Sequence, residues 1–269
     1  MKIFRVNRRV GEWPREAEEA LRTPYGAPLR ALDVNVLADS AANRNNRPMF
    51  VPDFAREGWV VEVLPAVRIG RLGKFIAPRF AHRYIQDILL TAFLHQPDGD
   101  PVAPLACLFD GALTLGDPIP NSAFCNPHSS EASSADAAAI YRAPTTGTLH
   151  IEASLAPLSY GAASPASDAA PISRGAASPA SDAAPISRGA AADAATIIAD
   201  VDIEALRLPE TIALLSRYCT LKSGDLILPA SAAITFPALL NHQLTAACTA
   251  PSCTASATTA APCLITRLK

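Results

Sequence analysis

The chain has no run of about 18 or more apolar residues, the length a helix needs to cross a bilayer, and this excludes a membrane-spanning helix. It also lacks an excess of either charge: 23 Lys and Arg against 25 Asp and Glu leave a net −2 over 269 residues. The basic residues of 1–30 alternate with acids, so electrostatics give no argument for a nucleic-acid partner. Six cysteines are present, Cys107, Cys125, Cys219, Cys248, Cys253 and Cys263, but no CxxC pair and no HxxxH spacing occurs among them and the histidines. Ordinary structural zinc sites are thereby excluded, and the thiols are expected to be buried small hydrophobes or inert surface groups. The opening MKIFRVNRRV has no apolar core of the signal-peptide kind, so the expected compartment is the cytoplasm. Neither Ser216 nor the serines of 129–187 stand in a glycine-flanked nucleophile elbow, which leaves serine-hydrolase chemistry without support. The partners expected are small molecules or proteins, with no nucleic acid and no membrane.

What is present is a series of short apolar segments separated by turn residues. Lys2 to Val6 alternates as a strand, Glu16 to Arg22 suits a short helix after Pro14, and Leu29 to Leu37 reads as a strand before the polar loop Asn43–Asn46. The prolines of Arg47–Pro52 favour extended backbone and a hairpin-like approach to the next segment. Trp59 to Ile69 is rich in Val and Leu and carries one acid, Glu62, so it reads as a mostly buried strand whose Pro65 suggests an edge or a bulge. Gly70 and Gly73 are expected to supply left-handed backbone in a turn. Phe80, Tyr84 and Ile88, four apart, predict a short helix over 77–90. Leu105 to Leu115 reads as a strand broken at Asp110-Gly111, and Gly116–Pro120 as a turn.

The second half alternates ordered and low-complexity sequence. Thr148 to Leu155 predicts a strand with Leu149, Ile151 and Ala153 on one face. Ile197 to Ile203 predicts another strand, Glu210 to Tyr218 a helix after Pro209, residues 220–228 a turn leading into a buried strand, and Leu264 to Leu268 the last strand. Residues 121–139 are a Ser/Ala-rich insertion, and 245–262 are an Ala/Thr/Ser-rich tail segment before the last strand. Residues 161–174, GAASPASDAAPISR, are repeated unchanged as 175–188. Such a unit buries too little apolar surface to offset the entropy of ordering, so 161–188 is expected to form a flexible loop rather than a solenoid.

Four stretches in matching order, RPMFVPDF (47–54), EVLPAVRIGRLGKFIAPRFAHRY (62–84), FDGALTLGDPIP (109–120) and SRYCTLKSGDLIL (216–228), resemble the fumarylacetoacetate hydrolase family, particularly its short bacterial members. The resemblance implies one domain over 1–269, mainly β with short helices (α+β), as a mixed β-sandwich or roll that forms a homodimer. It also implies magnesium- or manganese-dependent hydrolysis, decarboxylation or isomerisation of 2-oxo and diketo acids. In the family a hard cation is held by Glu-x-Glu on a strand and an Asp some thirty residues later, and alternation puts both glutamates on one face. Carried over by residue, the first glutamate is Glu62, the second falls on Leu64, and the aspartate falls on Phe93. The lysine falls on Cys107, the N-terminal histidine on Trp13, and the Thr-Gly-Thr-Pro loop on Pro229–Ala232. Glu16 remains from the His-Glu pair. The scaffold positions Gly70, Gly73, Arg71, Lys74, Phe80, His82, Arg83, Tyr84, Phe109, Asp110, Gly116, Thr220, Gly224 and Asp225 match.

The implied site residues are therefore vestigial, Glu16 for catalysis and Glu62 for metal. The expected protein is a pseudoenzyme without cofactor, acting by binding or subunit pairing. Two alternatives stand beside it. One is an active magnesium- or manganese-dependent enzyme of 2-oxo acids with relocated ligands such as His95, Asp98 and Asp110. The other is an interaction scaffold that uses the repeat loop.

Overall fold

The computed structural model describes residues 1–7, 33–53, 58–96, 109–119, 148–158, 195–229, 234–249 and 262–269. The helix expected at 16–22, the insertion 121–139, the repeat 161–188 and most of the Ala/Thr/Ser segment lie outside them. Two sheets form the body. The first has eight strands in the order β2 (Asp33–Leu37), β1 (Ile3–Asn7), β10 (Leu226–Pro229), β5 (Val60–Ile69), β6 (Ile85–His95), β7 (Leu113–Ile119) and β3 (Ala42–Arg44), with β11 (Ile234–Pro237) also paired to β5. The second runs β4 (Pro48–Met49), β13 (Leu264–Leu268), β12 (His242–Thr249), β8 (Thr148–Pro157), β9 (Ala195–Asp202). Among the described residues there is one α-helix, α1 (Leu208–Tyr218), which carries Pro209 in its first turn and buries Leu208, Ile212 and Leu215.

The first sheet is curled into a roll, and chain connectivity shows it. Strands β2 and β3 stand at opposite ends of the strand order, yet only residues 38–41 join them. A link of four residues spans at most roughly 18 Å, so the two ends of the sheet must approach one another. Ile3, Leu37, Leu64, Leu89, Phe93, Leu113, Leu226 and Leu228 fill the inside of the roll as one apolar cluster. Strand alternation sends Phe4, Val61, Val63, Ile88, Leu90 and Ile227 to the other face, where they pack with Leu149, Ile151, Leu244 and Leu268 of the second sheet.

Several sequence expectations change here. Residues 77–90 are not a helix: Pro78–Tyr84 forms a 3-10 segment and Ile85 begins β6. Strand β6 is buried on both faces, so the alternation that marks a half-exposed strand is missing from its sequence. Pro65 lies in a central strand, not at an edge. It pairs with Leu90 of β6, while on its other side β11 ends opposite Val63 and β10 is paired opposite Val67 and Arg68. Its missing N–H therefore interrupts neither of those two ladders.

The left-handed residue of the 70–76 turn is Phe75, with φ 54°, while neither glycine has positive φ. Gly73 is required for space, since a Cβ there would stand 2.4 Å from Cε1 of Tyr84. Gly116 likewise lies within β7 rather than in a turn, where a Cβ would stand 2.7 Å from the Cys263 carbonyl oxygen and 2.8 Å from that of Leu90. Residues 42–52 form no hairpin: β3 pairs with β7 in the first sheet and β4 with β13 in the second. The Asn45 side chain holds that crossing, donating to Asp117 Oδ2 (3.0 Å) and accepting from the Ile265 N–H (2.8 Å). Residues 245–249 belong to β12, which pairs with β13 across the low-complexity segment, so the second sheet runs on through β13 to β4.

Candidate functional site

Glu62 sits near one end of the roll, on the same side of β5 as Leu64 and Ala66. It is buried, not at a strand edge, with 8% of its surface exposed. Three strands supply its neighbours. Arg5 of β1 donates from Nη2 to Glu62 Oε2 at 2.8 Å. His95, the last residue of β6, brings Nε2 to 3.0 Å from Oε1. Thr235 of β11 lies directly opposite Glu62 in the ladder and is exposed, so the cluster borders solvent there.

Phe93, opposite Glu62 on β6, ties the group together. The Arg5 guanidinium lies 5.0 Å from its ring centroid, and the His95 ring stacks on it at 5.3 Å with 17° between planes. His95 Nδ1 is 2.5 Å from the Gln96 carbonyl oxygen, which can only accept, so that nitrogen carries a proton. Nε2 faces a carboxylate, also an acceptor. The ring therefore meets an oxygen acceptor at each nitrogen.

Burial works to raise the Glu62 pKa, but the hydrogen bond and charge of His95 and those of Arg5 outweigh it and hold the carboxyl below its ordinary value. The group is an anion held between the Arg5 guanidinium and the His95 ring. Arg5 Nε is buried without a hydrogen-bond partner among the described residues. Buried polar atoms in native proteins are nearly always satisfied by protein or by ordered solvent, so the unpartnered Arg5 Nε beside the carboxylate marks a place where a small polar species fits.

A divalent hard cation does not fit this donor set. Glu62 Oε2 is taken by the Arg5 guanidinium and Oε1 faces His95, while Leu64 and Phe93, the positions to which the resemblance carries the other ligands, are 0% exposed and built into the apolar filling of the roll. Among the described residues no group of three His, Cys, Asp or Glu side chains could hold a metal. The structure thus joins Glu62 and His95, and it adds Arg5, which sequence reasoning passed over as an ordinary strand residue. No local signal distinguishes Arg5, because its burial comes from pairing with residues about two hundred positions away. Asp110 is exposed in the turn before β7. Glu16, Trp13, Asp98 and Cys107 lie outside the described residues.

The matched scaffold residues have structural work. Asp225 accepts from the N–H groups of Lys2 and Lys222, both at 2.8 Å, and pairs with Lys2 Nζ at 3.3 Å, tying β1 to the turn before β10. Gly224 (φ 87°) and Gly111 (φ 75°) occupy backbone that other residues resist. Cys219, Cys248 and Cys263 are free and half-buried; burial, with the neighbouring Cys263, pushes the Cys248 thiol up to about 12, which leaves it unreactive.

No family model and no curated protein matches this chain by sequence. Solved structures do match it in shape. The 5-carboxymethyl-2-hydroxymuconate delta-isomerase of Mycobacterium smegmatis superposes with a TM-score of 0.55 at 15% identity, over 99% of this chain and 78% of that one. The 2-hydroxyhepta-2,4-diene-1,7-dioate isomerase of Mycobacterium marinum gives 0.56 at 14%, over 99% and 73%. The fumarylpyruvate hydrolase of Pseudomonas aeruginosa, in complex with Mn2+ and pyruvate, gives 0.54 at 12%, over 100% and 89%. The fold expected from the four sequence stretches is the fold the chain adopts, that of the fumarylacetoacetate hydrolase family.

Proposed function

We propose that this chain is a member of that fold in which the metal-dependent site has given way to an Arg5–Glu62–His95 cluster, leaving a protein that acts by binding or by pairing with another subunit. The observation that carries the reading is the occupation of Glu62: Arg5 at 2.8 Å on one oxygen and His95 at 3.0 Å from the other. A carboxylate so neutralised gains little by taking a magnesium ion, which demands near-octahedral oxygen ligands. The unpartnered Arg5 Nε supports a small polar ligand beside it rather than a dry core. Calorimetric titration with Mn2+ tests the proposal. No stoichiometric binding is expected; micromolar binding at one site per chain overturns it.

One observation favours a second reading, in which the chain is a hydrolase or decarboxylase of 2-oxo acids with rearranged ligands. The structure does bring His95 to Glu62, as relocated chemistry would require. That reading predicts metal-dependent turnover of oxaloacetate or an acylpyruvate, abolished by Glu62→Gln. Absence of turnover with magnesium and manganese present, in a protein that melts cooperatively, removes it.

A further inference from the structure

The stretch 70–84 contains Arg71, Lys74, Arg79, His82 and Arg83 and no acidic residue, in a chain whose net charge is −2. Its shape is fixed by the body of the protein. Gly73 and Leu221 exchange backbone hydrogen bonds at 2.9 Å, and the Phe75 and Ile76 N–H groups donate to the backbone oxygen and Oγ of Ser216 at 3.0 and 2.8 Å. This rigid turn nevertheless presents apolar side chains to solvent: Leu72 is 71% exposed and Phe75 68%. Phe75 holds its ring there with φ 54°, a backbone state that bulky residues resist, and such strain concentrates where the presented side chain is used. Lys74 lies against Phe75, and Arg79 and Arg83 lie against the exposed Phe80 on the 3-10 segment that continues the turn; none of the three forms an ion pair with a carboxylate among the described residues.

We propose that this face docks the protein onto an anionic lipid surface, with Leu72 and Phe75 entering the headgroup region and Lys74, Arg79 and Arg83 lying against lipid phosphates. The cations define the sign of the partner, and the apolar pair defines its kind. Leu72 and Phe75 stand out on a turn rather than lining a groove, and a bilayer receives such a tip without needing a matching pocket. Single-stranded nucleic acid needs an open aromatic face for stacking. Here the Arg79 and Arg83 guanidiniums lie 4.7 and 4.9 Å from the Phe80 centroid, and the Lys74 ammonium 5.3 Å from that of Phe75. A second copy of the chain would bring like charges together across a two-fold contact.

Co-sedimentation of the full chain with vesicles tests this. Phosphatidylcholine vesicles containing a minority of phosphatidylserine are expected to carry the protein down, pure phosphatidylcholine vesicles are not, and added salt weakens the binding. Neutralising Lys74, Arg79 and Arg83 together is expected to weaken partitioning roughly a hundredfold, about fivefold for each cation near the surface. Leu72→Ser with Phe75→Ser is expected to lose binding at high salt first. All these positions are exposed, and an unchanged melting temperature shows that the variants fold. The proposal is overturned by equal binding to both vesicle types, by no binding to the anionic vesicles, by full binding of the triple variant, by capture of poly(U) without vesicle binding, or by self-association that the same substitutions abolish.

Discussion

At the scale of single residues the site is an electrostatic trap. Arg5 and Glu62 are each only 8% exposed, so removing one partner leaves the other charged and buried. Arg5→Met is expected to cost about 3–5 kcal/mol in urea denaturation, while Arg5→Met with Glu62→Leu recovers most of it, because an apolar pair of similar volume is often as stable as a buried ion pair. The pH dependence follows from the depressed Glu62 pKa. Folded Glu62 holds its proton less tightly than unfolded Glu62, so its contribution is present above the ordinary carboxylate value and is lost as pH falls through the lower folded value. Denaturation midpoints from pH 7 down to acid should fall more steeply for the wild type than for Glu62→Gln. Asp87 has the opposite sign: burial raises its pKa despite Arg68 at 3.4 Å, so ionising it works against folding. Asp87→Asn is expected to raise the midpoint at neutral pH, with the gain shrinking towards acid.

At the scale of elements, space governs the glycines more than backbone angle does. Gly116 lies between the carbonyl oxygens of Cys263 and Leu90, neither of which can retreat without moving a strand, whereas the nearest atoms to Gly73 belong to the Tyr84 and Ile76 side chains. Gly116→Ala should therefore lower the melting temperature more than Gly73→Ala, both falling in or above the roughly 1–3 kcal/mol range of overpacking. The elements that were legible in the sequence were the half-buried ones. Strand β8 alternates Leu149, Ile151 and Ala153 inward with His150 and Glu152 outward, and α1 opens on Pro209. Strand β6 was missed because its residues are apolar on both faces, and spacing alone then mimics a helix.

At the scale of the whole molecule, the low-complexity segments fall between paired strands. Strands β8 and β9 pair from Thr148↔Asp202 to Leu155↔Ala195, with residues 159–194 between their ends. Deleting 161–188 shortens that connection by about two halvings and should stabilise the fold by about 1 kcal/mol through reduced loop entropy, measurable as a small rise in the urea midpoint. A large loss would instead give the repeat a structural part. The whole-chain charge of −2 likewise conceals a local arrangement, since an acid-free stretch at 70–84 is balanced by acids elsewhere.

The sequence by itself determined the fold, through four ordered stretches. Turn glycines, strand starts and apolar runs are local features, and local features survive in the order of residues. Only the tertiary structure decided what became of Glu62. Its partners come from β1 and β6, and the curl that brings β2 and β3 together sets them inside one roll. An arginine in strand β1 looks the same in sequence whether it faces water or a buried carboxylate, because burial is a property of the strands beside it.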